Sequence, residues 1–202
     1  LPLAIEFAKK YQVKGYDINL KRINELNSHY DSTNELSKKD LRYLKLISFT
    51  SKINELSDSN IFIITVPTPI YKSKKPDLRL LKQACNNIGK LLKKNDIVII
   101  ESTVYPGTTE EFCVPILEKK SNLKYNKDFF CGYSPERINP GDKKHKITDI
   151  VKIISGSNKK TTRIMDNLYS KVIKVGTYKV SSIRIAEAAK IIENCQRDLN
   201  IA

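Results

Sequence analysis

Two short stretches dominated by apolar residues constrain the fold of this chain more than any other feature. They occupy residues 61–66, where only Thr65 is polar, and residues 97–100. Hydrophobicity that does not alternate is typical of strands buried on both faces, as in parallel sheets. An amphipathic helix is predicted between them at 77–92, after Pro76 and Asp77. This strand, helix, strand order predicts a parallel sheet covered by helices.

The same alternation continues along the rest of the chain. Further helices are predicted at 1–8, 20–28, 37–46, from about 108, at 159–169 and from about 181 to the end, and further strands at 13–17, 128–136, 150–156 and 171–176. We therefore predict an α/β protein with a doubly wound, mostly parallel sheet. One domain, residues 1–179, is followed by the start of a long helix at 180–202.

The first helix and strand end in an acid, Asp17. In dinucleotide-binding units a glycine-rich turn precedes such a helix, and an acid about 20 residues further on binds the ribose hydroxyls. Counting back from Asp17 puts that turn before Leu1, so we expect the first strand and its glycine loop to lie outside these residues. The alternative is an ordinary helix and strand of any α/β protein.

The composition bounds the partners and the location. No run of about 18 apolar residues exists, so no membrane span is expected. No signal-peptide pattern is visible, which leaves a cytoplasmic location as the default. The formal charge of +14 is compatible with nucleic-acid binding, but the lysines occur in scattered pairs and arginine is scarce. We expect no nucleic-acid partner.

The cysteines and histidines predict no metal site. Four cysteines, Cys85, Cys113, Cys131 and Cys195, are scattered without a C-x-x-C or Cys/His pairing. This spacing favours reduced thiols in a core over zinc ligands or disulfides. His29 and His145 are isolated and are expected at the surface.

Ligands of open α/β sheets bind at the carboxyl ends of strands, and two predicted strands end in unusual sequences. "TVPTP" at 65–69 carries two prolines that stiffen the chain. "ESTVYPGTTEE" at 101–111 has Glu101, Ser102 and Thr103 after a strand, then a Pro-Gly turn and a Thr pair suited to capping a helix. Such a helix start suits an anionic or amide-bearing ligand, although a rigid loop and a capped turn explain both stretches as well.

Two further stretches carry groups suited to catalysis. "GYSPERINPGD" at 132–142 runs from a strand into Glu136 and Arg137, then into a turn at 139–142. In the last helix Lys190 and Asn194 are four residues apart, so they share a face and can converge on one oxygen. We expect their neighbours to be largely apolar or small. A lysine whose head reaches solvent beside a surface asparagine is the alternative.

Together these stretches resemble the nucleotide-sugar 6-dehydrogenases, NAD-dependent enzymes that oxidise the C6 alcohol of a UDP-hexose to a uronic acid. The resemblance covers nearly the whole chain. "SPERINPGD" and "ENCQRDLNIA" are closer to the branch that acts on UDP-N-acetylhexosamines in surface-polysaccharide synthesis. It implies a Rossmann-like fold, a UDP-sugar substrate and a homodimer formed through the last helix.

The resemblance also implies roles for individual residues. Asp17 would bind the adenosine ribose and favour NAD over NADP. Glu136 would act in the later aldehyde and thioester stages and contact the substrate together with Arg137. Lys190 and Asn194 would hold the oxygen at the reacting carbon. The nicotinamide end of the cofactor would be lined by Thr65, Val66, Pro67, Thr68, Ser102 and Thr103, with Thr103 also reaching the catalytic water.

Two departures from the family pattern bear on activity. The family nucleophile is a cysteine in a later, uridine-binding domain, and no cysteine here stands in that context; Cys195 is expected to pack in the fold. Pro140 stands where some relatives carry a second carboxylate. We therefore expect the 202 residues alone neither to bind NAD tightly nor to turn over substrate. Another Rossmann dehydrogenase and a non-catalytic basic nucleotide- or nucleic-acid-binding module are the alternatives.

Overall fold

The structure, a computed structural model, describes residues 1–137 and 147–201. Within these residues the helices are α1 (Pro2–Ala8), α2 (Leu20–Asn27), α3 (Arg79–Gly89), α4 (Val114–Ser121), α5 (Lys159–Ser170) and α6 (Ile183–Ile201). The strands are β1 (Val13–Tyr16), β2 (Ile47–Thr50), β3 (Ile61–Ile64), β4 (Ile97–Ile100), β5 (Phe130–Tyr133), β6 (Lys152–Gly156) and β7 (Thr177–Lys179). Helices and strands alternate along most of the chain, as predicted.

The strands form two sheets. Five strands lie in the order β3-β4-β5-β6-β7, all parallel to their neighbours except for the antiparallel pair β5 and β6. β1 and β2 form a separate parallel pair. In the part of the chain that the structure describes, β1 pairs only with β2, and β3 only with β4. The prediction of a mostly parallel α/β sheet is confirmed.

The strand β4, which lies between β3 and β5, shows why the sheet carries helices on both faces. All four of its residues are buried. Val98 and Ile100 pack into a core cluster with residues of α3 and α4, whereas Ile97 and Ile99 pack on the opposite face with residues of α1 and α5. Each fully buried isoleucine contributes roughly 2 kcal/mol to the free energy of folding. Because both faces of β4 are buried, neither face has a solvent-exposed position for a polar side chain, and the apolar run at 97–100 is therefore unbroken.

Two predicted elements differ from the structure. The strand predicted at 171–176 is wrong, because Val172 and Ile173 are buried in the core cluster beside α5 and do not pair. The chain turns at Gly176 (φ +83°), and the strand follows at Thr177–Lys179. The helix predicted at 37–46 is limited to a 3-10 segment at Leu41–Leu46, followed by β2, which the sequence analysis did not predict.

The cysteines are only partly where they were expected. Cys85, Cys113 and Cys131 are buried and free, as predicted, whereas Cys195 is exposed on α6, so the expectation that it packs in the fold is wrong. His29 is exposed, as predicted. His145, Pro140 and the turn predicted at 139–142 lie outside the described residues. No helix in the described ranges is long and apolar enough to cross a membrane.

Candidate functional site

The predicted site residues follow the carboxyl ends of strands or lie on α6. Residues 65–68 follow β3, Ser102 and Thr103 follow β4, and Glu136 and Arg137 lie beyond β5. Because these three strands are parallel, their carboxyl ends form one edge of the sheet. Asp17 follows the carboxyl end of β1 in the two-stranded sheet. The structure therefore brings the residues after β3, β4 and β5 to a common edge.

Asp17 presents an exposed carboxylate between β1 and α2. Its Oδ1 accepts a hydrogen bond from the Asn19 backbone N–H at 2.8 Å, and its own N–H donates to the Thr50 carbonyl at 3.2 Å. The Asn19 side chain in turn caps α2 by accepting from the Arg22 N–H at 3.3 Å. These bonds hold the acid at the point where the chain leaves the strand.

The loops that follow β3 and β4 are joined by hydrogen bonds. Ser102 Oγ donates to the Val66 carbonyl at 2.7 Å, and Thr68 Oγ1 donates to the Thr103 carbonyl. Tyr133 on β5 supports the second loop from below, since its hydroxyl donates to the Ser102 carbonyl at 3.2 Å. Ser102 is buried, whereas Thr65, Pro67 and Thr103 remain exposed at the edge. These hydrogen bonds join the two loops into one rim at the edge of the sheet.

A buried charged cluster lies beneath this rim. Lys152 Nζ lies 3.2 Å from Glu101 Oε2 and 3.5 Å from Glu136 Oε2. The Tyr169 hydroxyl donates to Glu101 Oε1. Lys152, Glu101 and Tyr169 are 3%, 4% and 0% exposed, so all three are shielded from solvent. Burial raises the pKa of Glu101, while Lys152 and the Tyr169 hydrogen bond act against that rise.

Lys190 and Glu136 are in contact. Lys190 Nζ donates to the Glu136 backbone carbonyl, and Glu136 Oε1 accepts from the Arg137 N–H at 2.7 Å. Burial lowers the pKa of Lys190, and the nearby Glu193 and Glu136 carboxylates offset part of this shift. The expectation of apolar or small neighbours is wrong, because Lys190 lies near the charged side chains of Glu193 and Glu136.

Arg137 and Asn194 have internal partners. The Arg137 guanidinium donates to both carboxylate oxygens of Glu193, at 2.7 and 3.0 Å, and to the Val151 carbonyl at 3.2 Å. Asn194 lies one turn beyond Lys190 on α6, and its Oδ1 accepts a hydrogen bond from the Arg197 guanidinium. The Arg137 and Glu193 pair ties the segment carrying Glu136 to the helix carrying Lys190.

Glu187 ties α6 to the loop after β4. Its carboxylate is fully buried and accepts from the Gly107 N–H at 2.5 Å, the Thr109 N–H at 2.8 Å and the Thr109 hydroxyl at 2.7 Å. Burial raises the pKa of Glu187, against the effect of these three donors. The prediction that the Thr pair caps a helix is wrong: the helical segment at Thr108–Cys113 is a π-helix without a side-chain cap, and Thr108 Oγ1 donates to the Tyr105 carbonyl.

The sequence analysis missed four residues of this arrangement, namely Lys152, Tyr169, Glu187 and Glu193. A lysine inside the apolar strand predicted at 150–156 was a signal for the first. The acid of "AEAA" at 186–189, flanked by alanines on a helix, was a weaker signal for Glu187. Tyr169 gave none. Among the described residues, no group of three or more His, Cys, Asp and Glu side chains could hold a metal ion.

Comparison with known proteins identifies relatives of the chain. A model of the UDP-glucose/GDP-mannose dehydrogenase family, NAD binding domain, matches residues 1–173. UDP-N-acetyl-D-glucosamine 6-dehydrogenases of Pseudomonas aeruginosa and Salmonella typhi are 57% and 54% identical over 202 residues, which are 100% of this chain and 48% of each relative. The solved UDP-D-ManNAc dehydrogenase of Pyrococcus horikoshii has 33% identity and a TM-score of 0.90 over 99% of this chain and 48% of its own. The chain therefore spans about half the length of the relatives it matches.

Proposed function

This chain belongs to the UDP-glucose/GDP-mannose dehydrogenase family, and on that basis we propose that it is the NAD-binding part of an enzyme that oxidises the C6 alcohol of a UDP-sugar to the uronic acid. The sugar we propose is a UDP-linked N-acetylhexosamine, because the Pseudomonas and Salmonella relatives bear UDP-N-acetyl-D-glucosamine in their names. Surface-polysaccharide precursors are the proposed use, and the cytoplasm the proposed location. The observation that carries the proposal is the contact of Lys190 with Glu136 at the edge that the loops after β3 and β4 also reach.

The residues at this edge, together with Asp17 after β1 in the two-stranded sheet, fit a dinucleotide. An exposed carboxylate such as Asp17 can accept hydrogen bonds from ribose hydroxyls and repels a 2′-phosphate, which favours NAD over NADP. The loops after β3 and β4 are hydrogen-bonded to each other and keep exposed hydroxyls at the edge. We propose that they hold the nicotinamide end through Thr65, Val66, Pro67, Thr68, Ser102 and Thr103. Oxidation of the C6 alcohol to the acid removes two hydrides, and NAD, when bound, supplies the acceptor for each, so two NAD are consumed in turn.

The charged groups at the edge suit the two halves of the reaction. Loss of hydride leaves negative charge on the C6 oxygen, which the Lys190 ammonium and the Asn194 amide would stabilise. Conversion of an alcohol to an acid also adds one oxygen from water. The Glu136 carboxylate would take the proton from that water, and Thr103 would help to position it. Arg137 would contact the substrate next to Glu136.

We also propose that α6 forms a homodimer contact. Three of its apolar side chains are largely exposed, at 65% for Ile192, 78% for Leu199 and 77% for Ile201. Exposed apolar residues gathered on one element are typical of an interaction surface. The occupant we propose is the same helix of a second copy.

A chimera tests the proposed function. In it, this chain replaces the matching 202 residues of the Pseudomonas aeruginosa relative, so the remainder of that enzyme is retained. We expect the chimera to reduce NAD in the presence of UDP-N-acetyl-D-glucosamine and to yield the uronic acid, detected by NADH absorbance and mass spectrometry.

The matched variants are Lys190→Met, which removes the proposed charge-stabilising group, and Lys160→Met, an exposed lysine on α5. We expect the Lys190→Met chimera to lose roughly 100-fold or more in turnover and the Lys160→Met chimera to match the parent. A folded chimera that binds NAD but forms no NADH would contradict the proposal, as would an unchanged Lys190→Met variant.

A further inference from the structure

A buried lysine lies behind the carboxylate of Glu136. Lys152 begins β6 and extends over the end of β5, so that its ammonium meets Glu101 after β4 on one side and Glu136 on the other. We propose that Lys152 is a positioning residue that holds the Glu136 carboxylate in the orientation needed to accept a proton from water. This inference rests on the proposed function, because it assumes that Glu136 acts in the reaction.

The burial of Lys152 requires an explanation. Its side chain is 4% exposed, in a strand whose other members are mainly apolar. Burying a charged pair costs about as much free energy as the pairing returns, so an apolar side chain of similar size would serve the core as well or better. Stability therefore gives no reason for a cation here. The reason lies in what the ammonium contacts.

Glu101 fixes the ammonium from the buried side. Both oxygens of Glu101 are engaged, Oε1 by the Tyr169 hydroxyl and Oε2 by Lys152 Nζ. The Lys152 ammonium also lies 5.7 Å from the centre of the Tyr169 ring. With these contacts behind it, the ammonium faces Glu136 from a fixed point.

Glu136 is contacted by β6, by α6 and by the residue that follows it, and its side chain is partly exposed. Its Oε2 faces Lys152, its Oε1 accepts from the Arg137 N–H, and its backbone carbonyl accepts from Lys190. The Glu136 side chain remains 39% exposed, whereas that of Lys152 is 4% exposed. The carboxylate can reach a water or a substrate, and Lys152 cannot. Lys152 thus acts through Glu136, which makes it a positioning residue.

This placement predicts which half of the reaction depends on Lys152. In the thioester stage that the family resemblance implies, water adds to the C6 carbonyl carbon, an oxygen–carbon bond forms, the carbonyl electron pair moves to its oxygen, and the water proton passes to the Glu136 carboxylate. The carbonyl then re-forms, the carbon–sulfur bond breaks, and the thiolate of the cysteine in the part kept from the relative leaves. Removal of the first hydride from the alcohol involves no water. Loss of Lys152 should slow the water step and spare the first hydride transfer.

The experiment uses the chimera described above. The variants are Lys152→Met, Lys152→Arg and the double variant Lys152→Met/Glu101→Gln, with Lys160→Met as the exposed-lysine control. The double variant removes both buried charges and keeps an acceptor for Tyr169, so it reports on Glu136 even if the single variant does not fold. For each, the rate of the first NADH formed is measured by stopped flow, steady-state turnover by absorbance, and the melting temperature by differential scanning fluorimetry.

We expect the Lys152→Met and double variants to form the first NADH within about threefold of the parent rate and to turn over roughly 10- to 100-fold more slowly. Lys152→Arg, which keeps the cation, should recover most of the turnover. A double variant that turns over like the parent, or one that loses the first hydride step and the turnover equally, would overturn the inference while the active parent upholds the proposed function. A parent chimera that forms no NADH would overturn both.

Discussion

Lys190 is half-buried, and its surroundings shift its pKa in both directions. Burial lowers its pKa from the ordinary value of 10.5, while the Glu193 and Glu136 carboxylates raise it and Arg197 and Lys152 lower it further. The net shift is downward. Below the lowered pKa the side chain is an ammonium, and above it the side chain is neutral. The cation proposed to stabilise the reacting oxygen is therefore lost at a lower pH than for an exposed lysine.

We predict that turnover of the chimera falls as the pH rises, in a window that begins below 10.5. Lys190→Arg should move this alkaline fall to higher pH, because a guanidinium stays protonated, even though its geometry lowers the maximum rate. The check is a pH profile of steady-state turnover for both proteins, with Lys75→Arg as an exposed control. A fall at the same pH in the parent and in Lys190→Arg would rule out Lys190 as its source.

Glu187 holds two parts of the site together through a carboxylate with no access to solvent. Three donors from Gly107 and Thr109 converge on its two oxygens. A glutamine has one acceptor oxygen and one amide group, so it would set a donor against a backbone N–H. An unsatisfied buried donor costs about 1–3 kcal/mol.

We therefore predict that Glu187→Gln lowers the melting temperature of the chimera by several degrees, whereas Glu55→Gln, at an exposed acid, leaves it unchanged. Because α6 carries Lys190 three residues further on, turnover should fall as well. Thermal denaturation followed by circular dichroism makes the comparison. Equal melting temperatures for the two variants would show that the buried carboxylate contributes no stability.

Helices and strands were predictable where the local residue pattern alone determines the secondary structure. All four residues of β4 are apolar and buried on two faces, so the pattern and the structure carry the same information. The run at 171–176 is also apolar, yet Val172 and Ile173 pack into the core beside α5, and periodicity alone does not separate a buried turn from a strand. β2 is a four-residue strand with a mixed burial pattern, too short for a periodic signal.

The site was predictable only in part for the same reason. The carboxyl ends of β3, β4 and β5 are fixed by the strand order, which placed the residues after them correctly at one edge. Lys190 and Glu136 are 54 residues apart, and their contact depends on the direction in which α6 leaves β7. Lys152 meets Glu101 only because β6 runs antiparallel to β5, a reversal that no local sequence pattern encodes.

From its middle to its end, α6 exposes the apolar side chains of Ile192, Leu199 and Ile201, which the described chain does not cover. We predict that Ile192→Glu shifts the chimera from dimer to monomer, because a carboxylate in an apolar contact must be desolvated without a partner. Gln196→Glu, an exposed polar position on the same helix, should leave the dimer intact. Light scattering coupled to size-exclusion chromatography gives the mass. A dimer that survives Ile192→Glu and Leu199→Glu would show that α6 is not the contact.

The whole molecule is joined across its two sheets by α1. Leu3 and Phe7 pack in the cluster that contains Ile97 and Ile99 of β4. Ile5 belongs to a different cluster, with Leu26, Leu44 and Ile47 around the two-stranded sheet. One short helix thus contacts both cores. Asp17 and the loops after β3 and β4 belong to different sheets, and α1 provides one of the contacts that fix their relative position.

We predict that the 202 residues alone form no NADH from NAD and UDP-N-acetyl-D-glucosamine, whereas the chimera does. The physical reason is that β1 and β3 each have an edge that is unpaired in the described chain. The proposed cofactor residues are divided between the two sheets, with Asp17 after β1 and the others after β3 and β4. The activity of the relatives also belongs to proteins about twice this length. The check is NADH absorbance together with calorimetric titration of NAD into each protein. NADH formed by the isolated chain at a rate near that of the chimera would contradict the prediction. It would mean that the two described sheets and α6 are enough to bind both cofactor and sugar.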